Sequence, residues 1–278
     1  MAGGGRLAHY LTAWALADAQ LLAETATSRI YTVTHAGETA ILKLLAAGET
    51  EEQTGALALR WFGGRGAVRL LRHDDGAHLL EYASGDELVT LVEHGQDQAA
   101  TRIIAQVLNQ LHSAPPDAAP PGLFTLERWF RALFTRAAAD QQAGAATVYT
   151  RGAAVARRLL DDPRDVRVLH GDIHHRNIRQ SARGWLAFDP KGLIGERTYD
   201  CANTLCNPPL AAIVHSEARL LTSAAILADA LNIDAARVLA FTYAYACLSA
   251  CWSLAISDRA MARWALAVAL IAEPHVGL

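Results

Sequence analysis

The sequence predicts an α+β protein in two lobes, a small β-rich N-terminal lobe and a larger helical C-terminal lobe. Three observations lead there. Up to Ala83, short runs of β-branched, aromatic and aliphatic residues are separated by turn signals and one helical segment, the pattern of a compact α+β unit. Beyond Ser84-Gly85-Asp86 the apolar residues recur at helical spacing. A β island from Val166 to Asp189 interrupts that helical region. A chain of 278 residues is long enough for one large domain or for two lobes sharing a cleft. The lobes are placed at residues 1–84 and 85–278.

In chain order, "MAGGGRLAHYLTAWALADAQ" lacks the layout of a signal peptide. Its apolar residues are interrupted by His9, Asp18 and Gln20, and it reads as a short amphipathic helix. "RIYTVTHAGETAILKL" reads as two strands joined by a hairpin turn at "HAGE". Within it, Ala40, Leu42 and Leu44 alternate with Ile41 and Lys43. "ETEEQTGALALRWF" is a helix whose acidic first turn suits the macrodipole. "GAVRLLRH" and "GAHLLEYA" are two further strands around the turn "DDG". Helical segments follow in "DELVTLVEHG", "QDQAATRIIAQVLNQLHS", "LFTLERWFRALFTRAAADQQ" and "AATVYTRGAAVARRLLDD", with a Pro-rich surface loop, "APPDAAPPG", between the second and the third. "VRVLH" and "GWLAFD" make the β island, and the chain is helical again from about Pro209.

Hydrophobic residues form 52% of the chain, enough for a packed core. The net charge of −3 provides no basic footprint for nucleic acid and fits a cytoplasmic enzyme, read as a monomer or weak homodimer. "VLAFTYAYACLSACWSLAI" is long enough to span a bilayer. Its Ala, Ser, Thr and Tyr content and the nearby Arg237, Asp258 and Arg259 favour a buried helix, so no membrane association is expected. Cys201, Cys206, Cys247 and Cys251 form no zinc-type CxxC pair and read as buried free thiols in a reducing compartment.

The most informative stretch is "VLHGDIHHRNI", Val168–Ile178, and three readings compete for it. His170, Asp172, His174 and His175 offer ligands for a hydrolytic zinc, but they lack the helical His pair of HExxH. A polar turn without chemistry is the second reading. The third is phosphoryl transfer, in which a carboxylate accepts the hydroxyl proton and a carboxamide follows in the pattern H-R-D-x-x-x-x-N. His170-Gly171-Asp172 is followed by Asn177 at that spacing, and Asp189 ends the apolar strand "GWLAFD" as a second metal-binding carboxylate. Upstream, "AILK" ends in Lys43, in the manner of the strand lysine that pairs with nucleotide phosphates. The next helix offers Glu51 or Glu52 to hold that lysine, and Glu52 is preferred. The ordered set favours a kinase over both rivals.

With these residues in hand, the chain resembles the aminoglycoside phosphotransferase family of the protein-kinase-like fold, and within it the branch of streptomycin 6-kinases and hydroxyurea-resistance kinases. "LHGDIHHRNI", "GWLAFDPKGLIGERTYDCANTLCNP" and, less specifically, "GALALRWFGGRGAVRLL" carry the likeness, which runs from about Ala23 to about Asp258. "DPKG", in place of the protein-kinase DFG, is its most branch-specific feature. The resemblance implies Asp172 as catalytic base, Asn177 and Asp189 as magnesium ligands, and Lys43 with Glu52 as the phosphate-positioning pair. It implies His170 and Asp200 as supports of the loop, although Asp200 also reads as a helix N-cap, and Glu81–Ala83 as a hinge pairing with adenine. The phosphate-covering loop falls near "AETATSRIY", which has no glycine, so Ser28 and Thr27 stand in with hydroxyls and backbone N–H groups. Arg176 stands where a small or acidic residue is expected, either binding phosphate or solvated.

The reading is an ATP- and magnesium-dependent transfer of a γ-phosphoryl group to a hydroxyl of a small, cationic, hydroxyl-rich acceptor, streptomycin first. Glu196, Trp252 and Asp258 are the candidate acceptor contacts, with Trp252 alternatively core and Asp258 alternatively a helix cap. The alternatives are a kinase of a small metabolite such as a sugar, amino alcohol or nucleoside-like compound, or a catalytically silent nucleotide-binding module.

Overall fold

The computed structural model describes residues 2–46, 50–114 and 119–277; the side chain of Glu51 and residues 115–118 of the Pro-rich loop lie outside the described residues. Helix α1 (Ala2–Ala13) is followed by strands β1 (Leu16–Glu24), β2 (Ser28–His35) and β3 (Glu38–Leu45), helix α2 (Thr50–Phe62), and strands β4 (Leu70–His73) and β5 (Ala77–Glu81). The five strands form one antiparallel sheet in the order β1-β2-β3-β5-β4. β1 is a correction to the sequence reading, which ran a helix through Gln20. The helix stops at Ala13, Ala15 turns at φ 54°, and Leu16–Glu24 pairs along β2 with bulged register. "LADAQLLAE" is made of good helix formers, but ladder pairing along the sheet edge outweighs so weak a propensity. The β2–β3 hairpin turns at Ala36-Gly37, both at positive φ (52° and 85°), as a two-residue primed turn requires.

Period-2 alternation gives this sheet two different faces. Tyr31, Val33, Ala40, Leu42, Leu44 and Leu79 pack with Tyr10 and Leu16 under α1. Ile30, Ile41, Lys43 and Leu80 face the other way, onto a cleft.

The second lobe contains α3 (Val89–Glu93), α4 (Asp97–Leu111), β6 (Phe124–Thr125), α5 (Leu126–Trp129), α6 (Arg131–Gln142), α7 (Val148–Asp161), β7 (Val166–Leu169), β8 (Ile178–Ser181), β9 (Gly184–Ala187) and β10 (Leu193–Glu196). It closes with α8 (Ala202–Leu205), α9 (Ala211–Val214), α10 (Glu217–Leu231), α11 (Ala235–Ala255) and α12 (Arg259–Ala272). Helix α11 is the axis of the bundle and touches α6, α7, α8, α10 and α12. Among the described residues it is the one helix long and apolar enough to cross a membrane, and 72% of its most apolar window is buried within the molecule. β10 pairs with β6 and β7, and β8 with β9, so the β island becomes two small sheets at the mouth of the bundle.

The lobes meet through backbone. Gly85 N–H donates to Gln180 O (2.9 Å) and Leu88 N–H to Ile178 O (2.9 Å), stitching the connecting segment to β8. Helix α2 sits on the segment that follows Asp189: the Thr54 hydroxyl donates to Lys191 O (2.7 Å), and a Cβ on Gly55 would come within 2.3 Å of Pro190 O. Gly→Ala inside a helix ordinarily stabilises by about 1 kcal/mol. Here the sign reverses. We expect Gly55→Ala to destabilise by about 1–3 kcal/mol, as overpacking does, and to lower activity by pushing Glu52 off its partner. Urea denaturation checks it, and a stabilised, fully active variant would contradict this account of the interface.

Candidate active site

Two cavities meet at the lobe junction. The first, about 320 Å³, is the cleft under the five-stranded sheet. Lys43 projects into it from β3, and its ammonium donates to Glu52 Oε2 and Asp189 Oδ1, both at 2.6 Å. The lysine thus ties α2 to the segment after β9, across the two lobes. Thr27 donates its hydroxyl to Glu52 Oε1 (3.0 Å), drawing the β1–β2 turn over the same group. That turn holds its shape without glycine because Thr25 Oγ1 accepts the N–H groups of Ser28 (3.0 Å) and Thr27 (3.3 Å). Ser28 lines the cleft, but its N–H donates to Thr25 Oγ1 and its hydroxyl is 3.1 Å from the same oxygen. Glu81 and Ala83 line the far end. The Glu81 carboxylate is taken by Arg183 (2.5 and 2.8 Å) and by the Arg69 N–H (2.9 Å), so any contribution there comes from backbone.

The loop that carries His170, Asp172 and Asn177 runs from β7 to β8. Asp200 anchors it, accepting the N–H groups of His170 (3.0 Å) and Gly171 (2.8 Å) and the ring Nε2 of His112 (2.9 Å). Asp200 is therefore a loop support and not the N-cap of α8, whose capping residue is Cys201. The His170 Nε2 pairs with Phe188 O (3.0 Å) while its Nδ1 accepts the Asp172 N–H (3.2 Å), roles that require one neutral tautomer. Burial, which lowers the His170 imidazole to about 4, keeps it neutral.

Asp172 stands at the end of this scaffold. Its Oδ1 accepts from Asn203 Nδ2 (2.7 Å) and its Oδ2 from Asn177 Nδ2 (3.2 Å), while Asn207 Nδ2 donates to Asn203 Oδ1 (2.8 Å). Burial pushes the Asp172 carboxyl up to about 7, against the pull of the Lys191 charge. Asp189 behaves oppositely. Burial works against its ionisation, but Lys43 and Lys191 hold it down at about 2. Asn177 and Asp189 lie on adjoining segments, paired through Phe188 N–H to Asn177 O (3.0 Å), and Asp189 adopts φ 60°. With the Asn177 amide nitrogen committed to Asp172, the pair presents a carboxylate and a carboxamide oxygen, a hard donor set that fits magnesium.

The second cavity, about 940 Å³, opens on Asp172 from the helical side between α5, α6 and the end of α11. Trp129 and Trp252 cross edge to face on its wall, with ring centroids 5.2 Å apart, and Tyr245 is next to them. Arg128, Arg131 and Arg136 also line it, and Asp172 is the one carboxylate among its described lining residues.

Trp252 therefore lies where an acceptor contact was sought. Glu196 and Asp258 do not. The Glu196 side chain is 1% exposed, held by Arg237 Nε and Nη2 (2.6 Å each) and by the Arg164 N–H (3.0 Å). Asp258 caps α12 through the Met261 N–H (3.0 Å). Arg176 is exposed, 3.9 Å from Glu87.

The histidines do not converge as zinc ligands. His174 Nδ1 accepts the Arg176 N–H (3.2 Å), His175 is buried separately, and no cluster of three metal-ligating groups occurs among the described residues. The four cysteines are free and buried.

Sequence reasoning missed Asn203, which reaches Asp172 from 31 residues away, His112, which braces Asp200 from 88 residues away, and the Trp129–Trp252 pair. The i, i+4 spacing of Asn203 and Asn207 was a signal, but it did not reveal that Asn207 holds Asn203 and Asn203 contacts Asp172.

Comparison with known proteins agrees with this geometry. Residues 13–256 match the family described as aminoglycoside/hydroxyurea antibiotic resistance kinase. A streptomycin 3''-kinase of Klebsiella pneumoniae is 40% identical over 85% of this chain and 88% of its own length. A streptomycin 6-kinase of Streptomyces griseus is 34% identical over 81% of this chain and 75% of its own. Among solved structures, a thermostable mutant aminoglycoside phosphotransferase in complex with ADP and hygromycin B superposes with a TM-score of 0.63 at 15% identity, covering 98% of this chain and 99% of that one. The two-lobed architecture is thus the protein-kinase-like one, and the chain belongs to the aminoglycoside/hydroxyurea antibiotic resistance kinase family, a family of small-molecule phosphotransferases.

Proposed function

We propose that the chain transfers the γ-phosphoryl group of ATP to a hydroxyl of streptomycin. The observation that carries this is the position of Asp172: a carboxylate held by two carboxamides at the inner end of a large aromatic-walled cavity, beside a cleft containing Lys43, Glu52 and Asp189. In this reading ATP occupies the cleft, with its adenine at Glu81–Ala83 and its phosphates near Lys43, Thr27 and Ser28. Asn177 and Asp189 would hold magnesium, which neutralises phosphate charge when bound. Asp172 accepts the proton of the acceptor hydroxyl, and Asn203 keeps its carboxylate aimed. Catalysis is then mostly positioning and electrostatics.

The names of the relatives support streptomycin. The cavity supports an acceptor with faces to pack on Trp129 and Trp252, while Arg128, Arg131 and Arg136 on its lining do not add to the case for a cation. Carboxylate pairing does not add to the case, since Glu196 and Asp258 are occupied elsewhere. A coupled ADP-release assay with streptomycin, other aminoglycosides, hydroxyurea and neutral sugars tests the reading. Saturable release with streptomycin is expected, and release only with neutral sugars would overturn it in favour of a metabolite kinase.

A second expected result concerns the metal. Asp189→Ala should abolish the extra thermal stabilisation that magnesium confers on the ADP complex, while Lys43 keeps Glu52 as a partner. Thermal shifts with ADP, with and without magnesium, read this directly. A variant that still responds to magnesium like the parent would remove Asp189 from the metal site.

A further inference from the structure

The family likeness singled out "DPKG" without giving its lysine work, and the structure supplies a reason to look there. Among the described residues, Lys191 is the one that lines both the nucleotide cleft and the acceptor cavity. Its backbone is fixed from two sides: the N–H donates to His170 O (2.7 Å) and the carbonyl accepts the Thr54 hydroxyl (2.7 Å). Its stem lies against Gly171, where an added Cβ would come within 3.2 Å of Lys191 Cβ. The ammonium is 3.6 Å from Asp189 Oδ2, with the side chain 26% exposed. A flexible cation is thereby tethered at the passage between the two cavities, with the base on one side and Asp189 on the other.

We propose that Lys191 is a catalytic residue whose ammonium accompanies the phosphoryl group as it passes from the cleft to the cavity. This rests on the phosphotransfer reading above. In the step, the acceptor oxygen bonds to Pγ as the bond from Pγ to the β,γ-bridging oxygen breaks. That electron pair leaves with ADP, and the hydroxyl proton goes to the Asp172 carboxylate. The three non-bridging oxygens of the group in transit carry negative charge throughout. Lys43, drawn back to Glu52 and Asp189, is on the wall of the cleft alone, whereas Lys191 borders the whole path. A cation aimed at charge in the transition state acts on turnover more than on ground-state binding.

The test uses Lys191→Met and Lys191→Arg in the full chain. For Lys191→Met we expect turnover with streptomycin, and the slow hydrolysis of ATP by water, both to fall by about 10²–10³-fold. Calorimetric affinity for magnesium–ADP should stay within about threefold, whereas affinity for magnesium–ADP with aluminium fluoride, a mimic of the group in transit, should fall by about 10²-fold. Lys191→Arg should recover part of both losses. If Lys191 merely braces Asp189, magnesium–ADP binding weakens as much as binding of the fluoride complex, and that result overturns the proposal. So does unchanged turnover. Should the parent phosphorylate no acceptor, the streptomycin reading fails by itself, because the comparison of the two ADP complexes still decides on Lys191.

Discussion

Replacing Asp172 with asparagine is expected to lower turnover by about 10²–10⁴-fold, the usual worth of a general base, while the protein should stay folded and bind nucleotide. The contacts explain the expectation. Both carboxylate oxygens of Asp172 accept hydrogen bonds, from Asn203 Nδ2 and from Asn177 Nδ2. An asparagine there is nearly isosteric but carries one NH2, which must face one of these two donors. One hydrogen bond is lost, at a cost of about 1–3 kcal/mol, along with the group that takes the proton. The longer contact, to Asn177 at 3.2 Å, is the one that yields more readily. Steady-state rates with the best acceptor, together with calorimetric binding of ADP, check both halves. Turnover within about threefold of the parent would remove Asp172 from the role of base.

The largest effect on stability is expected at Glu196. Glu196→Ala leaves the Arg237 guanidinium, 10% exposed, facing an emptied site, and also deprives the Arg164 N–H of its acceptor. Removing one partner of a buried ion pair costs about 3–5 kcal/mol, because the surviving charge is uncompensated. In a chain of this size that lowers Tm by roughly 10 °C. The KM for the acceptor should change by less than about twofold in protein assayed below the transition. Thermal unfolding and acceptor titration separate the two accounts: an unaltered Tm with a tenfold rise in acceptor KM would restore Glu196 to the acceptor site.

Much of this molecule was legible in the chain because the relevant physics is local. Lys43 faces the cleft because strand side chains alternate, and Ala40, Leu42 and Leu44 claim the opposite face for the core. Asp172 and Asn177 meet because five residues of one loop return the chain on itself, and Asp189 follows at the end of the strand paired with β8. The first turn of α2 offered Glu51 and Glu52 alike, with Glu52 preferred, and the Glu52 carboxylate is 2.6 Å from the lysine.

What depends on distant residues was not legible. A carboxylate has the same appearance in sequence whether it faces a ligand or an arginine 41 residues away, so Glu196 looked like an acceptor contact. The helix formers of β1 gave no sign of the sheet edge that recruits them. By itself, then, the sequence determined the lobed α+β class and the order of Lys43, Asp172, Asn177 and Asp189, since periodicity and short loop closure act between near neighbours. Only the tertiary structure decided that Asn203 aims Asp172, that Trp129 and Trp252 share a cavity wall, and that Lys191 borders both cavities. Those pairings arise when the helices pack around α11 and the lobes close on α2, and burial then selects which polar groups must find each other.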